Sequence, residues 1–263
     1  KNFLFLLFDK LNFVMEISGL VITFNEEKNI GKCIDALLKV CDEVIVVDSF
    51  SKDRTVEIAK EKGAIVIQQS FLGDGPQRTH GLPYCKNDWI LNLDADEFLD
   101  RDAEGFILNK KYLEGNYDAF SFRVKNFLAD KLIDFSGWYP DHKVRFFNKK
   151  TAHPSDSKVH QKIVTINEKK VAVHILHYGW DSLDQIIAKK NQYSGWHAQQ
   201  LFDQGKRINA FKPVLNGLVA FIRCYFFKRG FLNGVDGLSI AMIQSFFSYM
   251  KYAKLLKLQK KYK

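Results

Sequence analysis

The chain has 263 residues, of which 46% are hydrophobic and 26% are charged. This composition is sufficient for a full hydrophobic core, and it excludes an intrinsically disordered protein. The net charge of +9 is unevenly distributed, because residues 206–263 carry twelve Lys or Arg against one acid, Asp236. That C-terminal segment therefore has a charge of +11, which attracts anionic partners such as nucleic acid, acidic lipid or a phosphorylated substrate.

The N-terminal stretch and the cysteines bear on where the protein resides. Residues 1–14 include the apolar run FLFLLF, which is too short to span a bilayer and has no cleavage site of the signal-peptide type. We expect these residues to be either a translated upstream extension or a short interfacial anchor. The four cysteines show no CxxC pair and no zinc-like spacing with histidine, which favours reduced, buried thiols and a cytoplasmic protein.

Apolar runs alternate with helical patterns along the first part of the chain. The predicted strands are ISGLVITF (17–24), EVIVVDS (43–49), AIVIQQ (64–69) and DWILNLD (88–94). Apolar residues recur at helical spacing from Ile30 to Cys41, with Leu38 among them, and Ser51 or Asp53 is placed to cap the next helix. This alternation predicts a parallel α/β sheet, which binds its ligands at the carboxyl ends of the strands.

The pattern changes after Glu97. Alternating or continuously apolar runs, such as YDAFSFRVKNF and HKVRFFN, predict an antiparallel extension of the sheet. From about Ser182 onward the sequence is typical of helices. We therefore expect a catalytic domain over residues 15–180 and a basic, aromatic-rich helical region over residues 181–263.

Acidic residues follow three of the predicted strands, at the points where those strands end, and the first strand ends at TFNEE (23–27). Asp48 ends the second strand, and Asp94 and Asp96 lie in the segment LNLDADEF at the end of the fourth. No GxGxxG or P-loop motif is present, which argues against dinucleotide binding and P-loop hydrolysis. The Asp-x-Asp pair predicts a site for Mg²⁺ or Mn²⁺ that also contacts substrate phosphates, with a solvated acidic turn as the alternative.

The ordered set of motifs resembles a known enzyme family. LVITFNEEKNIGKCIDAL, VIVVDSFSKDRTVEIA and WILNLDADEF resemble the nucleotide-binding half of family 2 glycosyltransferases, which have the GT-A fold. GWYPDHKVRFFN, VHQK, LHYGW and the C-terminal YFFKRGFLNGVDGL are similar to segments of the bacterial lipopolysaccharide-core β-1,4-glucosyltransferases. The resemblance implies a metal-dependent, inverting transfer of a hexose, with glucose favoured, from a UDP-sugar.

The same resemblance implies roles for particular residues in binding the donor. Thr23, Phe24 and Asn25 stand where the family lines the base pocket, and Asp48 stands where an Asp binds the uracil or ribose. Asp94 corresponds to a residue that faces the ribose and the metal. Asp96 corresponds to the principal metal ligand.

Two further residues have a less specific correspondence. Arg78, in GPQRTHGL, is either a contact to the diphosphate or a solvated helix arginine. His177, at the end of the apolar run VAVHILH, is either a third metal or phosphate contact or a histidine of the core or of an edge strand.

The catalytic base is where the chain departs from the family. The relatives usually have an acid after the VH dipeptide, but this chain has Gln161, and an amide cannot remove a proton. Asp141 in WYPDHK is the candidate base, with Asp156 as a second candidate and a turn residue as the alternative reading of Asp141. If neither acts, the chain is slow, or is a silent relative that binds nucleotide sugar or membrane as an assembly partner.

The resemblance and the charge distribution together imply the partners. A lipid-linked or lipopolysaccharide-core acceptor implies peripheral contact with the cytoplasmic face of the inner membrane through the basic C-terminal region. Lys251, Lys254, Lys257 and Lys261 recur at helical spacing, either facing an acidic membrane or simply in water on a packed helix. We expect no nucleic-acid partner, because the aromatic residues at 225–227, 246, 247 and 249 are dense enough to form core.

Overall fold

The computed structural model describes residues 16–157 and 162–261. The predicted N-terminal extension and Gln161 lie outside these ranges. The chain divides into two compact units, one made of Lys1–Arg123 and His142–Leu176 and the other of Val124–Asp141 and His177–Lys263. The second unit thus includes residues 124–141 as well as the C-terminal helices, and the boundary expected at residue 180 stays a prediction.

The first unit is built on four parallel strands joined by helices. These elements are β1 (Ile17–Thr23), α1 (Ile30–Leu37), β2 (Glu43–Asp48), α2 (Thr55–Glu61), β3 (Ile65–Gln68), α3 (Asp74–Gly81) and β4 (Trp89–Asp94). The strands lie in the order β3-β2-β1-β4, and each neighbouring pair is parallel. All four predicted strands and the parallel arrangement are confirmed.

Two predicted helix details are resolved by local contacts. Helix α1 buries Ile30 and Ile34, but Leu38 follows the last helical residue and is exposed. Asp53 Oδ1 accepts a hydrogen bond from the Thr55 amide at 3.1 Å, so it satisfies a free donor at the start of α2. Ser51 instead accepts from the Asn25 amide at 2.8 Å and joins two loops.

The sheet continues past β4 with strands from later in the chain. The later elements are β5 (Glu97–Leu99), α4 (Arg101–Leu108), β6 (Ala119–Leu128), β7 (Lys131–Leu132), β8 (Asp141–Asn148), β9 (His153–Pro154), β10 (Ile163–Val164) and β11 (Glu168–Trp180). The order is β3-β2-β1-β4-β8-β6-β11-β5, with β8 antiparallel to β4, which confirms an antiparallel extension at that junction. Strands β6 and β11 continue beyond the first unit into the second.

An aromatic cluster holds β8 against β4. The Trp89 ring stacks on Phe146 with centroids 5.0 Å apart, and Tyr112 meets Phe146 edge-on at 5.0 Å. Phe146 is fully buried and pairs with Leu91 across the two strands. Burying a large aromatic side chain stabilises a fold by about 1.5–3 kcal/mol. This packing fixes the position of Arg145, the residue next to Phe146.

The second unit is helical from Ser182 onward, as predicted. Its elements are α5 (Leu183–Asp203), α6 (Lys212–Ile222), a π-helical turn (Arg223–Phe227), a 3₁₀ turn (Gly230–Asn233) and α7 (Gly234–Lys261). Ser182 caps α5 by accepting from the Gln185 amide at 3.4 Å. A Cβ at Gly237 would lie 1.8 Å from the Gly230 carbonyl oxygen, so only glycine permits this close approach of backbones.

The aromatic residues of the second unit are not packed as expected. Phe247 is buried and Tyr225 is half-buried, but Phe226, Phe227, Phe246 and Tyr249 are exposed. The expectation that this set forms core is therefore wrong for most of its members, because α6 buries Pro213 and Gly217 and α7 buries other residues, such as Ile240 and Leu255. The four cysteines, in contrast, are free and buried, which confirms the prediction of unpaired core thiols.

No helix within residues 16–157 and 162–261 is both long and apolar enough to cross a membrane.

Candidate active site

The strand register brings three of the predicted site residues to the same edge of the sheet. Thr23 on β1 is the partner of Asp48 on β2, and Ile22 on β1 is the partner of Asp94 on β4. Asp48 and Asp94 are therefore two strands apart at the carboxyl edge, roughly 10 Å between their backbones at the usual strand spacing. The sequence placed these residues at one edge because parallel strands end there together.

Asp48 is fully buried and held from two sides. Its Oδ2 accepts from the Ser51 amide at 2.9 Å and from Gln68 Nε2 at 3.4 Å, and its Oδ1 accepts from the Ser51 hydroxyl. A carboxylate has about four lone-pair positions, so these bonds leave room for a further donor. Beside it, the buried Thr23 Oγ1 has no hydrogen-bond partner among the described residues.

The loop after β1 is tied to the loop after β2. Asn25 has the left-handed backbone that Asn tolerates, with φ of 55°, and its Oδ1 accepts from the Lys52 amide at 2.8 Å. Phe24, the residue before it, is exposed. The structure therefore brings Thr23, Phe24, Asn25 and Asp48 into one local region of the first unit.

Asp94 is held by two arginines. Arg78 on α3 donates to Asp94 Oδ1 and, at 3.4 Å, to Asn92 Oδ1, and Arg145 on β8 donates to Asp94 Oδ2 at 2.7 Å. Arg78 is only 3% exposed, so the reading of it as a solvated helix arginine is wrong. A contact from Arg78 to a diphosphate stays a prediction.

Glu97 forms the centre of the same network. It is fully buried, its Oε1 lies 2.5 Å from Arg145 Nη2 and 3.6 Å from Lys143 Nζ, and its Oε2 accepts from the Asp94 amide at 3.1 Å. Asp96 lies between Asp94 and Glu97 in the chain and is half-buried. The cations that face the acidic cluster in the described structure are thus arginine and lysine side chains.

The pKa values of the two arginines are shifted in opposite directions. Burial lowers the pKa of Arg78, and the nearby carboxylate of Asp94 does not fully offset this effect. Burial also acts to lower the pKa of Arg145, but the carboxylates of Asp94 and Glu97 outweigh it and raise that pKa above its ordinary range. Arg145 has two anionic partners whereas Arg78 has one, which explains the opposite directions.

The sequence analysis missed Arg145 and Lys143. A signal for Arg145 was present, because it precedes two consecutive buried aromatic residues in HKVRFFN. A charged residue in a buried strand is rare unless it is paired, so its position indicates a buried ion pair. Its partners could not be identified, because Glu97 lies 48 residues earlier in the chain.

Several buried donors around Asp94 lack acceptors. Arg78 Nε, Arg145 Nε and Asn92 Nδ2 have no hydrogen-bond partner within the described ranges. Buried donors are usually satisfied in a folded protein, so unsatisfied ones at a strand edge are suited to an incoming anion or to water. This feature fits a ligand with several oxygen atoms.

The carboxylates near Asp94 fit a divalent cation only in part. Within the described ranges, no group of three or more His, Cys, Asp or Glu is arranged to hold a metal. Both oxygens of Asp94 face arginines, which makes it a poorer ligand than predicted and leaves Asp96 as the main carboxylate. Mg²⁺ characteristically binds through one or two carboxylates together with substrate phosphates, so Asp96 fits such a site whereas a metal cage made only of protein does not.

The remaining predicted residues are divided between the two units. His177 and Asp141 belong to the second unit, where His177 Nδ1 is 2.7 Å from Asn126 Oδ1 and Asp141 is exposed at the start of β8. Asp156 is exposed in the first unit, and Gln161 lies outside the described residues. The roles of these residues stay predictions.

A parallel sheet whose carboxyl edge gathers Asp48, Asp94 and Asp96, extended by antiparallel strands, defines the chain as an α/β protein. The sequence profile of Glycosyl transferase family 2 matches residues 18–160. The chain belongs to that family, and it is a glycosyltransferase.

Two relatives that match over most of their length agree with this assignment. An uncharacterized glycosyltransferase of Rickettsia bellii is 33% identical over 92% of this chain and 87% of its own length. The lipopolysaccharide core biosynthesis glycosyltransferase LpsC of Rhizobium meliloti is 27% identical over 92% of both chains. Glucosyl-3-phosphoglycerate synthase of Mycobacterium tuberculosis, solved with Mn²⁺, UDP and its product, is 28% identical over 43% of each chain, with a TM-score of 0.33.

Proposed function

We propose that the protein catalyses the metal-dependent, inverting transfer of a hexose, with glucose favoured, from a UDP-sugar to a lipopolysaccharide-core or related cell-surface glycan. The observation that carries this proposal is that Thr23, Asp48 and Asp94 meet at the carboxyl edge of the parallel strands, with Asp96 two residues further on. The name of the Rhizobium meliloti relative supports a glycan of the lipopolysaccharide core as acceptor.

The nucleoside part of the donor binds at the end of β1 and β2. Asp48 accepts a hydrogen bond from the uracil or the ribose through the lone pairs that Ser51 and Gln68 leave open. Thr23 Oγ1 supplies a further buried polar atom, and the exposed ring of Phe24 provides an apolar surface beside the base. Because Asp48 is fixed by three hydrogen bonds, little side-chain entropy is lost when the nucleoside binds.

The diphosphate binds near Asp94 and Asp96. Three carboxylates (Asp94, Asp96 and Glu97) and three cations (Arg78, Lys143 and Arg145) make this cluster electrically balanced on formal charge. A Mg²⁺ or Mn²⁺ ion bound through Asp96 would stabilise the negative charge of the departing diphosphate. The side chains of Arg78 and Arg145 keep Asp94 in place and direct buried N–H groups toward this region. We retain His177 as a proposed third contact.

Inversion requires a base that accepts a proton from the acceptor hydroxyl. As that oxygen bonds to the anomeric carbon, the bond from this carbon to the diphosphate breaks and the proton passes to a carboxylate. Asp141 is the proposed base, because it is an exposed carboxylate in the segment that the resemblance identifies. Asp156 is the second candidate.

The acceptor is proposed to be lipid-linked, and the protein to work at the cytoplasmic face of the inner membrane. The support for this is the charge of +11 in residues 206–263. Anionic lipids attract such a segment, by about 1 kcal/mol for each basic residue near the surface.

The proposal is tested by release of UDP or GDP from a panel of nucleotide sugars, with and without lipopolysaccharide core. We expect slow release from UDP-glucose alone, faster release with the acceptor, loss of both on chelation and recovery with Mn²⁺. No release from any donor would overturn the proposal and favour the silent binding partner that Gln161 suggests. Release that survives chelation would refute the metal dependence alone.

A further inference from the structure

Helix α6 exposes a continuous apolar stripe. Large apolar side chains recur along it at spacings of three and four residues, so they lie on one face of the helix. The exposed members are Phe211, Val214, Leu215, Leu218, Val219 and Ile222. The opposite face, with Pro213 and Gly217, is buried. A helix whose apolar side faces solvent has no partner for that side among the described residues.

The segment after α6 and the first half of α7 continue this surface. The two connecting turns expose Phe226, Phe227, Phe231 and Leu232, and α7 exposes Val235, Leu238, Met242, Phe246 and Tyr249. Phe227 and Val235 are 81% and 79% exposed, so most of each residue is accessible to solvent. We refer to these residues, together with the α6 stripe, as the apolar hairpin face.

Helices α6 and α7 pack directly on each other through the side of α6 that contains Gly217. Ser245 Oγ donates to the Gly217 carbonyl at 2.8 Å, and Ser248 Oγ contacts the Asn216 carbonyl at 3.2 Å. The Cβ of Tyr249 lies 3.2 Å from the position a Cβ would take at Gly217. Soluble proteins rarely expose apolar patches larger than a few hundred Å², and larger ones mark interaction sites.

The charges within residues 206–263 are mostly positive. Lys206 and Arg207 are exposed before α6, and Arg223, Lys228 and Arg229 are exposed in the turns. Asp236 is the one acid in residues 206–263, and its Oδ2 lies 2.5 Å from Lys131 Nζ. An apolar surface bordered by cations matches a bilayer of anionic lipids, because basic side chains reach headgroups while apolar ones enter the acyl region.

Two of the four predicted lysines on α7 are less suited to that contact than the sequence suggested, whereas Lys257 and Lys261 are exposed. Lys254 Nζ donates to Ser194 Oγ at 2.7 Å and to Asn191 Oδ1 at 3.0 Å, which commits it to α5. Lys251 is half-buried and lies over the Tyr252 ring at 4.5 Å. The apolar hairpin face is therefore better suited to contact with lipid than these two lysines are.

We propose that the apolar hairpin face inserts into the surface of an anionic lipid bilayer, so that the second unit is held by buried apolar side chains and not only by charge. This inference rests on the proposed function, because that function places the protein at a membrane. It adds which residues enter the bilayer. Attraction by lysines alone is lost at high salt, since the screening length falls to about 3 Å at 1 M. Inserted apolar side chains keep the protein bound.

The first test reports contact with lipid directly. All four native cysteines are buried, so a Leu218→Cys variant directs an environment-sensitive nitrobenzoxadiazole dye to the hairpin face. We expect a blue shift of its emission on adding vesicles of phosphatidylglycerol and phosphatidylcholine in equal parts, retained in 1 M salt. The same dye at Ile166→Cys, which is 88% exposed in the first unit, serves as control and is expected not to shift.

Other occupants of the surface give different results. If the emission is blue-shifted without vesicles and the shift grows with protein concentration, two copies of the chain join at this face. If the shift depends neither on vesicles nor on protein concentration, another part of the chain covers the face. Either result overturns the proposal. A shift that disappears in 1 M salt also overturns it, because charge alone then holds the protein.

The second test separates this proposal from the proposed function. The triple variant Phe211→Ser, Phe227→Ser and Val235→Ser changes strongly exposed residues, with Leu108→Ser, Leu113→Ser and Ile166→Ser as a matched control. We expect the first variant to bind the vesicles at least about tenfold more weakly and the control to bind like the parent. Equal binding by all three proteins refutes membrane insertion. Donor hydrolysis in solution is expected to be unchanged in both variants, and its absence in the parent would refute the proposed function instead.

Discussion

Arg145 Nη2 lies 2.5 Å from Glu97 Oε1, and neither side chain is more than 4% exposed. The two residues come from β8 and β5, and the same guanidinium group also binds Asp94. Taking a carboxylate and a guanidinium out of water is costly unless each finds a partner. The pair therefore makes the acidic cluster compatible with a folded core and gives Asp94 a defined orientation before any ligand binds.

Breaking this pair is expected to destabilise the protein strongly. Arg145→Met leaves Glu97 buried with only Lys143, at 3.6 Å, as a cationic partner. We expect the free energy of unfolding in urea to fall by about 3–5 kcal/mol at neutral pH.

Two variants test this account of the pair. Arg145→Met combined with Glu97→Leu removes both charges and is expected to regain much of the lost stability. Arg54→Met removes an exposed arginine that pairs with Glu57, and it is expected to change stability very little. If the double variant is no more stable than Arg145→Met alone, the loss comes from packing and not from an unpaired charge.

Asp94 and Asp96 are expected to respond differently to substitution. Asp96 is half-buried, so Asp96→Ala should abolish transfer and Mn²⁺-dependent binding of UDP while the melting temperature stays near that of the parent. Asp94→Ala removes the partner that Arg78 and Arg145 share, so it should lower the melting temperature as well. Asp102→Asn, on the exposed side of α4, is the control. Turnover like the parent's in Asp96→Ala would refute the assignment of Asp96 as metal ligand.

Asp141 and Gln161 give opposite expectations for the base. If Asp141 is the base, Asp141→Asn should lower the rate of transfer by roughly 100-fold to 10,000-fold, with UDP affinity nearly unchanged. If the family position at 161 is the functional one, Gln161→Glu should raise activity and Asp141→Asn should have little effect. Initial rates with saturating donor separate the two cases. If neither change alters the rate of transfer, both candidates are refuted and Asp156 becomes the candidate base.

Two glycines in helices of the first unit should respond in opposite directions to alanine. A Cβ at Gly75 would lie 1.8 Å from the Ser155 carbonyl oxygen, and the Gly75 amide donates to the Ser157 carbonyl at 3.1 Å. Gly75→Ala should therefore push residues 155–157 away from α3 and lower the melting temperature. Gly105→Ala, inside α4, meets nothing closer than 3.8 Å and should stabilise the protein by about 0.5–1 kcal/mol. Thermal unfolding of both variants checks this contrast, which fails if Gly75→Ala is as stable as the parent.

Local pattern was sufficient to predict the parallel strands and the edge of the sheet where the acidic residues meet. Strand identity depends on runs of a few residues, and parallel strands joined by helices must end on the same side. For that reason Asp48 and Asp94 could be placed together from their positions alone. The family match also follows from ordered motifs that are readable in the sequence.

What only the tertiary structure decided was which side chains pair across long separations and which apolar residues stay exposed. The partners of Arg145 are 48 and 51 residues away, and no local spacing specifies such a contact. The aromatic residues near positions 226 and 246 look like core in sequence, because hydropathy does not reveal whether a neighbouring element covers a helix face. In the fold, Gly217 and Gly237 bring backbones close on the packed side, and the large apolar side chains are left facing outward.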